Sequence, residues 1–180
     1  MERATLGVSS PRRRSGLDAF EGQIVELLPR LRRFGRALAG NVADADDLVQ
    51  TAIERGLARR DQWQAGTSLE AWMFRIIKNA WIDQARFRVR RQRLFAPEEA
   101  GQLVADPAAG SAEARDLSLS VRAAMNDLPD DQRLAVVLIL IEGLSYQEAA
   151  DVLETPVGTV TSRLGRGRAA LQARLAAVEG

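Results

Sequence analysis

The chain has no cysteine and no histidine. Without cysteine there is no disulfide, no zinc–thiolate cluster and no thiol nucleophile. Without histidine the usual general base and the commonest transition-metal ligand are missing. Aromatic residues make up 5% of the 180 residues, so a core must be built mostly from Leu, Val, Ile and Ala. Lysine is nearly absent: Lys78 is the one lysine among 25 basic residues. The rest are arginines, whose planar forks suit phosphates and guanine edges. A GC-rich genome raises arginine content, but it does not cluster arginines. No apolar run nears the ~20 residues of a membrane span; the longest is Leu134 to Ile141. The N-terminal arginines have no apolar segment behind them, so they do not form a secretory signal. A soluble, cytoplasmic protein without catalytic, metal or cofactor sites is expected.

What is present is an ordinary globular composition, 46% hydrophobic and 27% charged. The net charge of +1 is uninformative, but its distribution is not. Arg12–Arg14 form one basic knot. Arg86, Arg88, Arg90, Arg91 and Arg93 form a second, and Arg163, Arg166, Arg168 and Arg174 a third, both free of acids. Separated patches of this kind can bind polyanions on a near-neutral chain. Residues 1–16, with Pro11 and Gly16, read as a disordered tail. Residues 17–92 read as a first helical domain. Ile24, Leu27, Leu28, Leu31, Phe34 and Leu38 recur at helical steps. Gly40-Asn41 ends that helix, and Asp44 or Asp46 starts the next. Thr67 or Ser68 caps a long helix from about Leu69 to Arg91. Residues 93–115, with Pro97, Gly101, Pro107 and Gly110, read as a flexible linker. Fully extended it reaches ~76 Å, about two turns of duplex at ~35 Å each. Residues 116–180 read as a second helical domain. Within it Leu134–Ile141 is expected to be a buried helix, with an Asp cap in front and Gly143 behind.

The second domain carries the sharper motif. Ser145-Tyr-Gln-Glu148 is a capping box, and Ala149, Ala150, Val152 and Leu153 bury the short helix behind it. Glu154-Thr155-Pro156 breaks that helix, and Pro156 suits the start of another. The next helix has Val157, Val160, Leu164, Leu171 and Leu175 on one side and Thr159, Thr161, Ser162, Arg163 and Arg166 on the other. Two short helices so spaced, the second with an Arg/Ser/Thr face and no acid until Glu179, fit a DNA-reading helix-turn-helix. Arg163 and Arg166 can fork onto guanine, each worth ~1–3 kcal/mol of discrimination. Thr159, Thr161 and Ser162 can reach phosphate or base edges. Arg168, deeper in the helix, suits the DNA backbone.

The first domain is aromatic and basic. Three carboxylates open Asp44-Ala-Asp-Asp-Leu-Val-Gln-Thr-Ala-Ile-Glu-Arg-Gly-Leu57. Trp63 and an Ala-Gly-Thr-Ser loop follow, then Trp72-Met-Phe-Arg-Ile-Ile-Lys-Asn-Ala-Trp-Ile-Asp83. Rings that stack on bases beside arginines that follow phosphates suit single-stranded DNA. In order and spacing these segments, together with Leu128-Pro-Asp-Asp-Gln-Arg133, Gly143-Leu-Ser-Tyr-Gln-Glu-Ala-Ala150 and Pro156-Val-Gly-Thr-Val-Thr-Ser-Arg163, resemble the extracytoplasmic-function (ECF) sigma factors of the sigma-70 family. The likeness spans about residues 20–176.

The resemblance implies an all-α protein of two small helical domains joined by a flexible linker, the second containing the helix-turn-helix. It implies a sigma factor that carries core RNA polymerase to promoter DNA, touching the clamp and flap of the enzyme, under control of an anti-sigma factor and monomeric when free. Asp46, Asp47 and Gln50 match positions that face polymerase. Trp63, Arg75, Asn79, Arg86 and Arg90 match the surface that melts and reads the −10 element, Asn79 lining the pocket for a flipped base. Thr159, Thr161, Ser162, Arg163, Arg166 and Arg168 lie on the −35 reader. Thr161 stands where the family usually has Lys or Arg, and Gly165 where a bulkier residue is common. Trp72, Ile76 and Ile77 are expected in the core, and Trp81 suits core or DNA equally. The chain is expected to be a minimal member, without further domains. A helix-turn-helix regulator acting alone is the alternative. A nuclease using Asp44, Asp46 and Asp47 lacks a second acid cluster and a phosphate loop.

Overall fold

A computed structural model describes the backbone of residues 12–94 and 112–177, and side chains within 19–87, 90 and 117–177. The linker reading of 95–111 and the tail reading of 1–11 fall outside the described residues, as do the side chains of Arg12–Arg14, Arg88, Arg91 and Arg93. The described residues are helical, without a strand. The helices are α1 (Arg12–Ala39), α2 (Val42–Ala58), α3 (Leu69–Leu94), α4 (Ala112–Asn126), α5 (Asp130–Val136), α6 (Tyr146–Leu153) and α7 (Val157–Ala176). A 3-10 turn, Arg60–Gln62, follows α2, and a π-helical turn, Val137–Ile141, prolongs α5. None of these helices is long and apolar enough to cross a membrane.

Helix ends follow local chemistry. Past α1, Gly40 takes a left-handed φ of +79°, and a Cβ there would lie 2.5 Å from Asn126 Oδ1 of α4. Glycine is therefore required twice over, by backbone and by space. The cap of α2 is Asn41, not Asp44 or Asp46: its Oδ1 accepts from the Asp44 N–H at 2.8 Å. Asn41 precedes the first apolar-periodic residues by a full turn, which hid it behind the acids. Ser68 caps α3, accepting from the Ala71 N–H at 3.1 Å. At α5 the cap position belongs to Pro129, and Asp130 and Asp131 fall in the first turn. They favour the helix through its dipole rather than through a side-chain cap. The capping box of α6 forms in full, with Ser145 accepting from the Glu148 N–H and Glu148 accepting from the Ser145 N–H.

The expected buried helix at Leu134–Ile141 forms, with one refinement. Leu134 through Leu138 are buried, but Leu140 and Ile141 emerge to solvent in the wider π turn. The core is continuous across both halves of the chain. Leu31, Phe34, Leu38, Leu48, Phe74, Ile77 and Trp81 join one cluster with Leu134, Val137, Leu138, Val152, Val160 and Leu164. Phe34 and Phe74 rings stand 4.5 Å apart inside it. Trp81 and Ile77 are core, Ile76 is buried at its edge, and Trp72 packs partly buried against it. Thus the two helical regions pack on one another, a contact the sequence patterns did not signal. α5 crosses α7 at Gly167, where a Cβ would come within 2.8 Å of Val136 Cγ2. Gly165 faces open space and nothing in the structure explains it.

Candidate promoter and polymerase surfaces

Arg75, Asn79, Arg86 and Arg90 are spaced by four, seven and four along α3, so they share one helical face. Asn79 is exposed in mid-helix. It lines a cavity of about 830 Å³ with Trp72 and Arg75 and with Gln62, Gln64, Thr67 and Ser68 of the loop before α3. That loop is ordered by its own bonds: the Thr67 hydroxyl donates to the Gln64 carbonyl at 2.7 Å. Trp63 stands apart from the cavity lining. Its half-buried ring lies 5.5 Å from Phe20, which in turn meets Trp72 at 6.3 Å. The three rings tie the loop to α1.

The far wall of the cavity comes from the second half: Glu142, Gly143, Leu144, Glu148 and Asp151. Arg75 Nη2 donates to the Asp151 carbonyl at 3.0 Å. Lys78 is 5% exposed, and its ammonium donates to the Val152 carbonyl at 3.1 Å and to the Glu154 carboxylate at 2.8 Å. Two cations of α3 therefore close the C-terminal end of α6, where helix carbonyls lack internal partners and the dipole favours positive charge. Glu154 adopts the left-handed region at φ 55°, an uncommon place for a residue other than glycine.

The Lys78 hydrogen bond lowers the Glu154 carboxyl below its ordinary value. Its contribution to stability is thus complete above the unfolded-state pKa and lost as pH falls through the lower folded one. Glu70, beside Arg30, shifts the other way because burial raises it. Its ionisation therefore costs the folded state stability as pH rises through the ordinary carboxylate range. Urea midpoints measured against pH should fall between about pH 5 and pH 3. In Glu154→Gln that fall should be shallower, whereas Glu70→Gln should steepen it.

Arg86 and Arg90 open on a second cavity, of about 660 Å³, whose lining also includes Ile82, Leu134, Asp131 and Arg163. The −35 candidates lie on α7. At 100° per residue the buried seam is Val160, Leu164 and Gly167, and Ser162 stands opposite it. Arg166 and Thr159 flank Ser162 on one side and Thr161 on the other, with Arg163 and Arg168 at the two edges of the exposed arc. The hydroxyls turn back on their own helix: Thr161 donates to the Val157 carbonyl at 3.0 Å and Ser162 to the Thr159 carbonyl at 2.9 Å. Arg163 Nε lies 3.0 Å from Asp131 Oδ2. Arg166 and Arg168 are exposed.

On α2 the buried side is Ala45, Leu48, Val49 and Ala52. Asp46, Asp47 and Gln50 project from the other side, and Gln50 Nε2 donates to Glu54 at 3.1 Å. This exposed acidic ridge sits away from both cavities. Sequence reasoning missed the residues that join the halves: Arg30, Arg33, Lys78, Arg133, Glu142 and Glu154. The lone lysine and the acid closing the apolar run at Glu142 were the available signals.

Comparisons with known proteins agree with this geometry. Residues 24–78 match the model of the Sigma2 domain of PhyR, and residues 118–171 that of Sigma-70, region 4. The ECF RNA polymerase sigma factor EcfG of Rhodopseudomonas palustris is 37% identical over 158 residues, 88% of this chain and 86% of that one. SigW of Bacillus subtilis, also an ECF RNA polymerase sigma factor, is 32% identical over 88% of this chain and 86% of its own. Among solved structures, the sigma factor RpoE in complex with the anti-sigma factor NepR from Bartonella quintana superposes with a TM-score of 0.76. The identity is 32%, over 88% of this chain and 97% of that one. CnrH, solved in complex with the cytosolic domain of CnrY, gives 0.64 at 29% identity, covering 88% of each. With that identity spanning both helical regions, the chain belongs to the ECF RNA polymerase sigma factors.

Proposed function

We propose that this sigma factor divides its work between the two helical units, 17–92 and 116–180. Asp46, Asp47 and Gln50 meet the clamp of core RNA polymerase. Asn79 receives an unstacked −10 base, with Arg75, Arg86 and Arg90 on the phosphates and Trp63 bracing the loop beside the pocket. The −35 duplex is held by Arg163 and Arg166 through base edges, by Thr159, Thr161 and Ser162 through phosphates or bases, and by Arg168 through the backbone. The second unit also meets the polymerase flap. No catalytic step belongs to the chain itself. It acts in the bacterial cytoplasm, as a monomer when free, and an anti-sigma factor restrains it, as NepR is bound to RpoE in the solved complex.

The observation that supports this reading is Asn79. It is an exposed amide at a helix position of modest propensity, in a cavity large enough for a base, on the same face as three arginines. The test is run-off transcription with core polymerase on a promoter library. A promoter-specific transcript is expected, with weak DNA binding by the chain alone. Strong autonomous binding without any transcript would make it a stand-alone regulator. Asn79→Ala should lower −10 base selectivity about tenfold, within the range for a base contact, and spare −35 binding. Alanine is the better helix former, so the thermal midpoint should hold or rise. A fall in midpoint with unchanged selectivity would place Asn79 in the scaffold instead.

A further inference from the structure

The second helical unit sits on the surface that the first needs for DNA. Glu142, whose side chain is fully buried, receives Arg33 at 2.6 Å and lies 3.6 Å from Arg30 Nε, while Arg30 also donates to the Glu142 carbonyl at 2.9 Å. Those bonds connect α1 to the residue that ends the π turn. The hydrogen bond to Glu142 raises the Arg33 guanidinium still further above its ordinary value. Arg75 and Lys78 hold the end of α6, and Arg133 of α5 reaches back to the Leu38 carbonyl of α1 at 2.9 Å. As a result the Asn79 cavity has an acidic lid of Glu142, Glu148 and Asp151 where a nucleic-acid phosphate would approach.

The distances forbid simultaneous reading. Arg163 of the −35 helix lines the same cavity as Arg86 and Arg90 of the −10 helix. Two promoter elements about two duplex turns apart, roughly 70 Å, cannot both be met from one cavity. The closed contacts are also of a releasable kind. A buried carboxylate is costly unless paired, yet it regains water when the halves part, so pairing and hydration nearly balance. Direct contact between apolar surfaces alone would lack that compensation.

We propose that the closed form is a self-masked state, in which α6 and Glu142 cover the −10 face of α3 through the Arg30/Arg33–Glu142 and Lys78–Glu154 pairs. Polymerase binding draws the units apart. This inference rests on the assignment of the α3 face to −10 DNA.

The absence of cysteine makes the test clean. Gln23→Cys on α1 and Gln172→Cys on α7, both exposed, carry a donor and an acceptor dye. The probe is a −10 non-template-strand oligonucleotide, read by fluorescence anisotropy. Transfer should be high in the free chain and fall on adding core polymerase. Arg33→Gln/Glu154→Gln should lower transfer in the free chain. Both side chains are half exposed, 50% and 57%, so folding is retained, and either single variant serves alone. If the open population rises from a tenth to most of the molecules, oligonucleotide affinity rises about tenfold. In holoenzyme, already open, the double variant and its parent should bind alike. Low transfer in the free parent, or opening without a gain in oligonucleotide affinity, overturns the mask. A gain that Asn79→Ala in the opened variant fails to remove supports the mask and refutes the Asn79 assignment, so the two failures are distinguishable.

Discussion

Replacing Arg133 by alanine should destabilise the folded chain by about 3 kcal/mol, the scale seen when one partner of a buried charged network is removed. The residue is 8% exposed. Its guanidinium donates to the Leu38 carbonyl near the end of α1 and to the Asn126 carbonyl at the end of α4, and lies 5.6 Å from the centre of the Trp81 ring. Both carbonyls belong to last helical turns, which lack acceptor partners within their own helices. Alanine would leave them without this donor, at roughly 1–3 kcal/mol for each unsatisfied buried group, and would open a cavity beside Trp81. At about 2–4 °C per kcal/mol for a chain of this length, the midpoint should drop by roughly 10 °C. Arg133→Lys keeps the charge but not the two-pronged reach, so it should fall between the two. The measurement is urea and thermal denaturation followed by circular dichroism. A loss under about 1 kcal/mol, that of an exposed ion pair, would show that the three helices are held together without Arg133.

Arg133 also shows where reading the sequence stops. It lay within the Leu128–Arg133 segment that resembles region 4, yet nothing around it announced a bond to Leu38, 95 positions earlier. What was legible was local. The capping box at Ser145, the stop at Glu154-Thr155-Pro156 and the apolar seam of α7 depend on neighbours within a few residues, and all three formed. Two local errors had local causes. Asn41 capped α2 because an amide one turn ahead of three acids was better placed than any of them. Pro129, rather than Asp130, held the cap position of α5.

The glycines of α7 make the same point about packing. Gly165 drew notice because it departs from a family pattern, but Gly167 is the one that lets α5 and α7 touch. Only the identity of the facing helix distinguishes them, and periodicity does not supply that. Likewise the contacts of Arg33 and Lys78 with Glu142 and Glu154 join residues 109 and 76 positions apart. Lys78 nonetheless left a trace. In a chain that otherwise uses arginine, a compact ammonium was retained where one carbonyl and one carboxylate converge on a buried point.

On the −35 surface, Arg166→Ala should have the largest effect on recognition. Arg166 flanks Ser162 near the middle of the exposed arc of α7. Its neighbours are partly engaged elsewhere: Arg163 with Asp131, and the Thr161 and Ser162 hydroxyls with their own helix. A bidentate arginine–guanine contact is worth ~1–3 kcal/mol, so affinity for a cognate −35 duplex should fall by about ten- to a hundredfold. The loss should be concentrated at one G·C pair, and a duplex altered at that pair should bind parent and variant alike. Arg168→Ala gives the contrast. At the edge of the arc it should weaken all duplexes evenly and reduce the slope of log affinity against log salt by about 1. Arg163→Ala should lie between, because the parent must first give up Asp131. Holoenzyme titrations with single-substituted −35 duplexes at several salt concentrations separate these outcomes. Base-specific loss in Arg168→Ala with uniform loss in Arg166→Ala would mean that α7 enters the groove by its other edge.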